Sequence, residues 1–464
     1  MFDWVLLAVR SSLKTSRLEM FEKLESASWC LVGSCTKLAL LISVYFFLLL
    51  PAYRLWIHPL SRFPGPKTWA ISQIPWTIMF CSGQSHRRLL ELHEQYGSVV
   101  RIGPNELSYT APEAWSAING KQTRVIENPK APWFCPPDGK HIAGAPYHDH
   151  VRMRRILANG FSARTMKQQQ PIVMGHIDML IKRLHEKAKN SEAAIEIGSW
   201  LNYCAFDIIG DLAFGEPFGC LQDSAMHPWI ATIFASLRTG AIGAALKRFP
   251  LLPAILPLLV PKKLLRLGEE LKRFSHDKVS KRLESGSSRP DILETMTSGK
   301  GDMTLTRDEI DNNAFVITVA GSETTATALT GAIYLLAKNP SAMAKLSHEV
   351  RSHFADEKTM DFATVSTLPY LCAVVEESLR LYPPGPNAQP RITPPEGNLI
   401  LGEYIPGNTV IGIPQLATYL SESNFKRAKE FIPERWLEDA EFSGDQKNCF
   451  NPFSLGPRNC IGIK

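Results

Sequence analysis

The chain lacks the short motifs that mark several enzyme classes. No two of its nine cysteines have C-x-x-C spacing, which excludes a zinc ribbon or a redox dithiol. Their odd number and irregular spacing do not make a secreted disulfide framework either, and a reducing, cytosol-facing environment fits better. There is no G-x-S-x-G and no H-E-x-x-H, so a serine hydrolase or a zincin has no supporting constellation. No G-x-G-x-x-G follows a strand pattern, which removes a flavin or nicotinamide fingerprint. No long Lys/Arg run with interleaved aromatics is present, so nothing marks a nucleic-acid partner. The net charge of +6 is that of a mixed, solvated surface. Internal repeats and low-complexity tracts are also missing.

What is there begins with one apolar run. Leu38 to Tyr53 carries no charge, and extending back to Trp29 adds only Lys37, which can snorkel to an interface. A membrane span needs roughly 20 apolar residues. The expected organisation is an extension of no assigned role over 1–28, a transmembrane anchor over 29–57, and a proline-rich hinge over 58–66. Met20 is an alternative start. A cleaved signal peptide fits less well, because the run starts late and lacks a small-x-small site. A buried core helix is the other reading. Arg54, His58, Arg62 and Lys67 follow with no acid among them, which places that end on the cytosolic side. Phe63 to Pro66 holds two prolines around Gly65, a turn between anchor and body.

The body, 67–464, reads as mainly α with small β-sheets. Tyr96 to Ser108 alternates like a hairpin. Asp149 to Phe161 reads as a basic helix. Thr306 and Glu309 form a capping box that opens a long helix over Arg307–Lys338, closed by Asn339 and Pro340. A second helix spans Pro369 to Tyr382, and residues 388–413 carry a second small sheet. Phe249 to Val260 is intensely apolar and broken by three prolines. It is either a core connection or a loop that touches a bilayer and lines a lipophilic entry.

The chemistry concentrates near the end. Phe453, Gly456, Arg458, Cys460 and Gly462 make a compact loop. Gly456 permits a tight turn and Gly462 a close backbone approach. Arg458 is placed to bind an anion beside the cysteine, and Phe453 to cover the sulfur. Such a loop suits a thiolate ligand for iron. Within the long helix, Gly321 removes a side chain so that something bulky can approach. Thr324 can bond back to the carbonyl of Ala320 and bend the helix. Glu323 and Thr324 make an acid–alcohol pair suited to proton relay. Glu377 and Arg380 share a helix face at i,i+3.

These motifs resemble those of the cytochrome P-450 family over roughly residues 55–464. The loop fits F-x-x-G-x-R-x-C-x-G at every defining position, and the other motifs follow in the family's order. The resemblance implies the mostly α P-450 fold and haem b held through Cys460. It implies that Thr324 handles a proton in dioxygen activation, with Glu323 in the delivery path. It implies that Glu377 and Arg380 meet Arg435, from Pro433–Trp436, in a buried structural network. Arg458, Arg391 and Arg154 would serve the haem propionates. His150 stands where many relatives carry a tryptophan, and would bond a propionate instead. Electrons would come from NADPH through a separate flavoprotein reductase, with cytochrome b5 as a further partner, at the endoplasmic reticulum membrane. The look of HPLSRFPGPK and NPFSLGPRNCIG is that of fungal microsomal members, many of which oxidise terpenoids or polyketides in secondary metabolism. The substrate pocket is expected from 125–145, 205–255, Phe315–Ala320 and Pro384–Ala388, with Asn387 as a polar contact. One rival is a haem-thiolate isomerase or dehydratase that needs no reductase. Another is a haem-deficient, non-catalytic remnant, because the chain stops four residues after Cys460, where the family continues into a helix and a hairpin; a truncated product or an incomplete gene model is the expectation.

Overall fold

The computed structural model describes residues 34–121, 127–135, 139–190, 194–249, 252, 261–286, 289–299, 301 and 303–463. The extension over 1–28, the first residues of the expected anchor and most of the proline-broken run after Phe249 lie outside them. The chain divides into two compact units between Arg62 and Phe63.

In the first unit, helix α1 runs over Ser34–Ile57, 24 residues with a mean hydropathy of 1.9 and none of its apolar window buried. At 1.5 Å per residue it is about 36 Å long, enough to cross a hydrocarbon layer of about 30 Å. Pro51 lies inside this helix rather than at its exit. The winding widens to π-type over Tyr45–Leu49 and Tyr53–Ile57, on either side of the proline. The wider turns make room for a ring that has no N–H to donate.

In the second unit a short helix over Lys67–Ile71 precedes α2 (Ile74–Cys81) and α3 (Ser85–Tyr96). The expected hairpin is β1 (Val99–Gly103) antiparallel to β2 (Glu106–Tyr109). A short helix α4 (Ala114–Asn119) follows. The basic helix is α5 (Tyr147–Leu157), extended by a 3-10 turn to Phe161. Next come α6 (Ala163–Asn190), α7 (Ile197–Phe214), α8 (Pro228–Leu246) and α9 (Lys262–Glu284).

The long helix is α11, Arg307–Lys338, between the short α10 (Ile292–Thr297) and α12 (Pro340–His353). Its capping box is complete: Glu309 N donates to Thr306 Oγ1 at 3.2 Å, and Thr306 N to Glu309 Oε2 at 2.8 Å. Two of the four orphan donors of the first turn are thereby satisfied. α7 is buried on most of its circumference, as a helix apolar all round must be. Phe206, Ile209, Ala213 and Phe214 of α7 share one core with Trp229 of α8 and with Ile310, Ala314 and Ile317 of α11. Each large side chain so buried contributes about 1.5–3 kcal/mol relative to exposure.

The expected second sheet over 388–413 divides. β3 (Arg391–Ile392) and β6 (Val410–Gly412) join the first hairpin in a sheet of order β1-β2-β6-β3, with β2 and β6 parallel. β4 (Asn398–Ile400) and β5 (Glu403–Ile405) pair only with each other. The sheet therefore brings the segment after the second helix, α13 (Pro369–Leu381), against the hairpin.

Glu377 on α13 is fully buried, and so are Arg380 and Arg435. Its carboxylate accepts from Arg380 Nε and Nη2 at 2.8 Å, Arg435 Nε at 3.0 Å, Trp436 Nε1 at 3.0 Å and Ile432 N at 2.9 Å. Arg435 also pairs with Asp445 at 2.5 Å. Arg380 donates onward to the carbonyls of Tyr419, Ala428 and Glu430. The expected triad is thus present, enlarged by Trp436 and Asp445. Replacing Glu377 by Leu leaves two guanidinium groups short of a counter-charge. It should destabilise the fold by about 3–5 kcal/mol, read as a lower urea midpoint in far-UV circular dichroism.

Candidate active site

Cys460 is exposed on a half-buried loop whose shape is fixed from its own backbone and from α4. Its N–H donates to the Phe453 carbonyl at 2.7 Å, and Asn459 N to the Gly456 carbonyl at 3.1 Å. Phe453 therefore contributes its carbonyl to the loop's closure. Gly456 adopts φ +81°, and a Cβ there would lie 2.0 Å from the Asn119 carbonyl oxygen. Only glycine lets this loop rest on the end of α4. A Cβ at Gly462 would stand 3.9 Å from the Cys460 sulfur, an ordinary contact, so the thiol does not demand a glycine there.

The network of α13 reaches this loop through Tyr419. The Tyr419 carbonyl accepts from Arg380, and its hydroxyl accepts from Asn451 N at 3.1 Å, just before Phe453. Gln415 Nε2 adds a bond to the Pro452 carbonyl at 3.2 Å.

Around the loop gather basic side chains from four segments. Arg154 of α5 donates to the Asn459 carbonyl at 2.6 Å and to Asn459 Oδ1 at 2.5 Å. It grips the residue before the cysteine, and its charge is within reach of the thiol. Arg458 makes a two-pronged pair with Glu127, at 2.7 and 2.8 Å, and donates to the Ala145 carbonyl at 2.9 Å. Arg391 is buried; its Nη1 donates to the Asn128 carbonyl at 3.3 Å, while its Nε has no partner. His150 is buried too, with Nδ1 unpartnered. Glu127 and Lys130 were not read from the sequence. Lys130 bridges to Arg391 across a β-bridge and donates to the Ala143 carbonyl at 2.9 Å.

Burial leaves its mark on these groups. It depresses the Arg391 guanidinium to about 10, against the help of Glu127. It lowers the Lys130 ammonium to about 8. Burial, together with the Arg458 and Arg154 charges, drops the His150 imidazole to about 4, so it is neutral at pH 7. Arg154, Arg391, Arg458 and Lys130 thus face Glu127 as the acid among them. Arg391 is buried and the other three cations are half-buried, in excess over one acid; with Arg391 Nε lacking an acceptor and His150 Nδ1 a partner, the cluster fits a ligand that brings its own carboxylates.

On α11 the hydroxyls fold back on the helix. Thr324 Oγ1 donates to the Ala320 carbonyl at 2.6 Å, and Thr325, Ser322 and Thr330 repeat the pattern. The back-bond is the expected one, and the α-helical hydrogen-bond pattern continues unbroken through it. Ala320 and Thr324 are exposed on it. Glu323 does not pair with Thr324: its hydroxyl partner is Thr327, and its Oε2 is buried without a partner. Burial raises its carboxyl above the usual range. Gly321 opens a space that α7 already fills, since a Cβ there would come within 3.1 Å of Ile209 Cδ1. It serves the close packing of α11 against α7.

A helical body with small sheets, a cysteine on a glycine-shaped loop and a cluster of basic side chains beside it agree with the resemblance to a haem-thiolate protein. The cytochrome P450 family model matches residues 63–464, and the chain belongs to that family. It is 45% identical over 414 residues to an averantin hydroxylase of Dothistroma septosporum, covering 88% of this chain and 78% of that one. It is 42% identical over 430 residues to the cytochrome P450 monooxygenase sthF of Phaeosphaeria nodorum, covering 91% and 84%. A trichothecene C-15 hydroxylase of Fusarium sporotrichioides is 39% identical over 423 residues, covering 90% and 86%. The chain is accordingly a monooxygenase of a family that uses haem, an electron donor and a small-molecule substrate, and α1 fits a membrane anchor.

Gly456→Ala tests the loop. The left-handed backbone alone costs an alanine about 1–2 kcal/mol, and the Asn119 carbonyl must also move. The expected outcome is loss of the thiolate-type band in the carbon-monoxide difference spectrum, with the far-UV helix signal retained.

Proposed function

We propose that this chain uses haem b, bound through Cys460, to hydroxylate or otherwise oxidise a lipophilic intermediate of fungal secondary metabolism, a polyketide or a terpenoid. Its electrons come from NADPH through a separate flavoprotein reductase, with cytochrome b5 as a second donor. It sits in the endoplasmic reticulum membrane as a single-pass protein, its catalytic body facing the cytosol after the basic residues Arg54, His58, Arg62 and Lys67. The hydroxylase names of the relatives support the reaction class. The observation that carries the reading is the Cys460 loop tied to both the cation cluster and the Glu377 network.

When bound, a haem with a thiolate ligand supplies the oxidising power that places one atom of dioxygen in the substrate while the other leaves as water. The chain's own groups prepare that chemistry. Cys460, itself exposed, offers its sulfur from a half-buried loop, and Arg154 holds the residue before it. Arg458, Arg391, Lys130 and the neutral His150 would hold the propionates of a bound haem, which could partner Arg391 Nε and, in the tautomer protonated there, His150 Nδ1. Thr324 holds a proton on Oγ1 that it can release by letting go of the Ala320 carbonyl. Glu323, kept more protonated than an exposed glutamate by its burial, can restock a proton relay from the other side of the helix through Thr327.

The carbon-monoxide difference spectrum of the reduced protein is the test. A thiolate-type Soret band in the wild type, lost in Cys460→His, is expected. Absence of any haem signal in the wild type would sink the reading. Thr324→Ala should keep the band while lowering product formed per NADPH, with turnover down by about 10²-fold. Product formation without NADPH would point to an isomerase or dehydratase instead.

A further inference from the structure

The basic side chains beside Cys460 surround an acid, Glu127, to which the haem-thiolate chemistry gives no task. Glu127 takes Arg458 two-pronged: Nε donates to Oε2 at 2.8 Å and Nη2 to Oε1 at 2.7 Å. Both side chains are nearly closed to water, 11% exposed for Glu127 and 6% for Arg458. A bidentate pair so placed escapes most of the screening that weakens surface pairs. The backbone after Glu127 is held as firmly. Asn128 donates from Nδ2 to the Ile118 carbonyl of α4 at 3.0 Å, and its Oδ1 accepts from Asn398 Nδ2 of β4 at 3.0 Å. The Pro129 carbonyl accepts from Ile392 N at 2.9 Å, and Ala131 N donates to the Pro390 carbonyl at 3.0 Å. Glu127 is therefore a charge fixed in place.

An arginine carries five N–H groups. Glu127 takes two from Arg458, and the Ala145 carbonyl takes a third at 2.9 Å. One N–H remains on each terminal nitrogen. A propionate can accept those while Glu127 keeps its own two, so the pair outlasts cofactor binding. Lys130, Arg391 and His150 also lie within electrostatic reach of Glu127. The cations offered to the propionates are thus answered beforehand, in part, by one carboxylate of the chain.

We propose that Glu127 sets the charge of the cofactor pocket and, acting through Arg458, keeps the haem iron harder to reduce than the surrounding cations alone would. The proposal rests on the haem-thiolate reading of Cys460 and goes beyond it by naming the residue that tunes electron uptake. Its sign follows from charge: reduction adds one electron to the haem, which nearby cations favour and a nearby anion opposes. Glu127 is a positioning residue, since it holds Arg458 and is no ligand to the iron.

The experiment uses the full, haem-loaded chain in lipid nanodiscs, poised with dithionite and redox mediators at about pH 6.5, below the Lys130 ammonium at about 8. The ferrous-to-ferric ratio is read from the Soret absorbance at the ambient potential that half-reduces the wild type. Glu127→Gln should raise that ratio about threefold or more, the effect of one unit charge across a protein interior. Glu127→Asp keeps the charge and should leave the ratio near that of the wild type. Glu127→Gln combined with Lys130→Gln removes one charge of each sign and should bring the ratio back toward the wild type. A Gln variant whose ratio is unmoved or lower overturns the proposal, and so does an Asp variant that shifts as far as the Gln variant, because shape and not charge would then be the cause. A Gln variant that no longer retains haem overturns it too, since Glu127 would then hold the loop together instead of setting its charge. An unmoved ratio in a protein with the thiolate-type carbon-monoxide band takes down this inference alone. A wild type without that band takes down the monooxygenase reading with it.

Discussion

The structure depends on one buried carboxylate. Glu377 has no access to water, so its charge must be met inside the protein or not exist. Two guanidinium groups, an indole N–H and a backbone N–H meet it. None of these partners is close in sequence except Arg380. Satisfying the carboxylate therefore requires that the chain from Tyr419 to Trp436 fold back over α13. Arg380 then spends its remaining donors on carbonyls of that returning segment. The electrostatic need of a single residue becomes the geometry of a whole layer. That layer hands its position to the cysteine loop through the Tyr419 hydroxyl and Gln415.

The ring of cations beside Cys460 works on the opposite principle. In the Glu377 network each buried charge finds counter-charges and carbonyls that saturate it. Around Arg391, Lys130 and His150, burial instead pushes the protonated forms to lower pKa, and donors remain over. A saturated network locks a fold, whereas an unsaturated one, built on elements that the first has fixed, is where a ligand gains energy by binding. Glu127 limits the imbalance by taking both prongs of Arg458. That contact also ties the segment after residue 126 to the loop that carries the cysteine.

Much of this was legible in the sequence where contacts are local. The capping box at Thr306, the i,i+3 pair of Glu377 and Arg380, the β1–β2 hairpin and the glycine turn at Gly456 are all decided within a few residues. The partners that come from far along the chain were not legible. Asp445 and Trp436 join Glu377, Glu127 joins Arg458, and β6 slots beside β2 because tertiary packing brings them there, and no local pattern announces it. Gly321 shows the same limit: the sequence announced a missing side chain, but only the fold reveals that Ile209 uses the space.

Glu323 marks a different kind of miss, one that helix geometry could have prevented. Adjacent residues on a helix point about 100° apart, so Glu323 and Thr324 do not face each other. The hydroxyl on the same face as Glu323 is four residues on, at Thr327, and that is its partner. Thr324 instead bonds back along its own face to Ala320. The acid and the alcohol thus stand on two faces of one helix. Any direct contact between them would need a bridging water or a shift of the Thr324 hydroxyl away from its carbonyl. That separation keeps the buried carboxyl of Glu323 out of direct contact with the exposed Thr324 face.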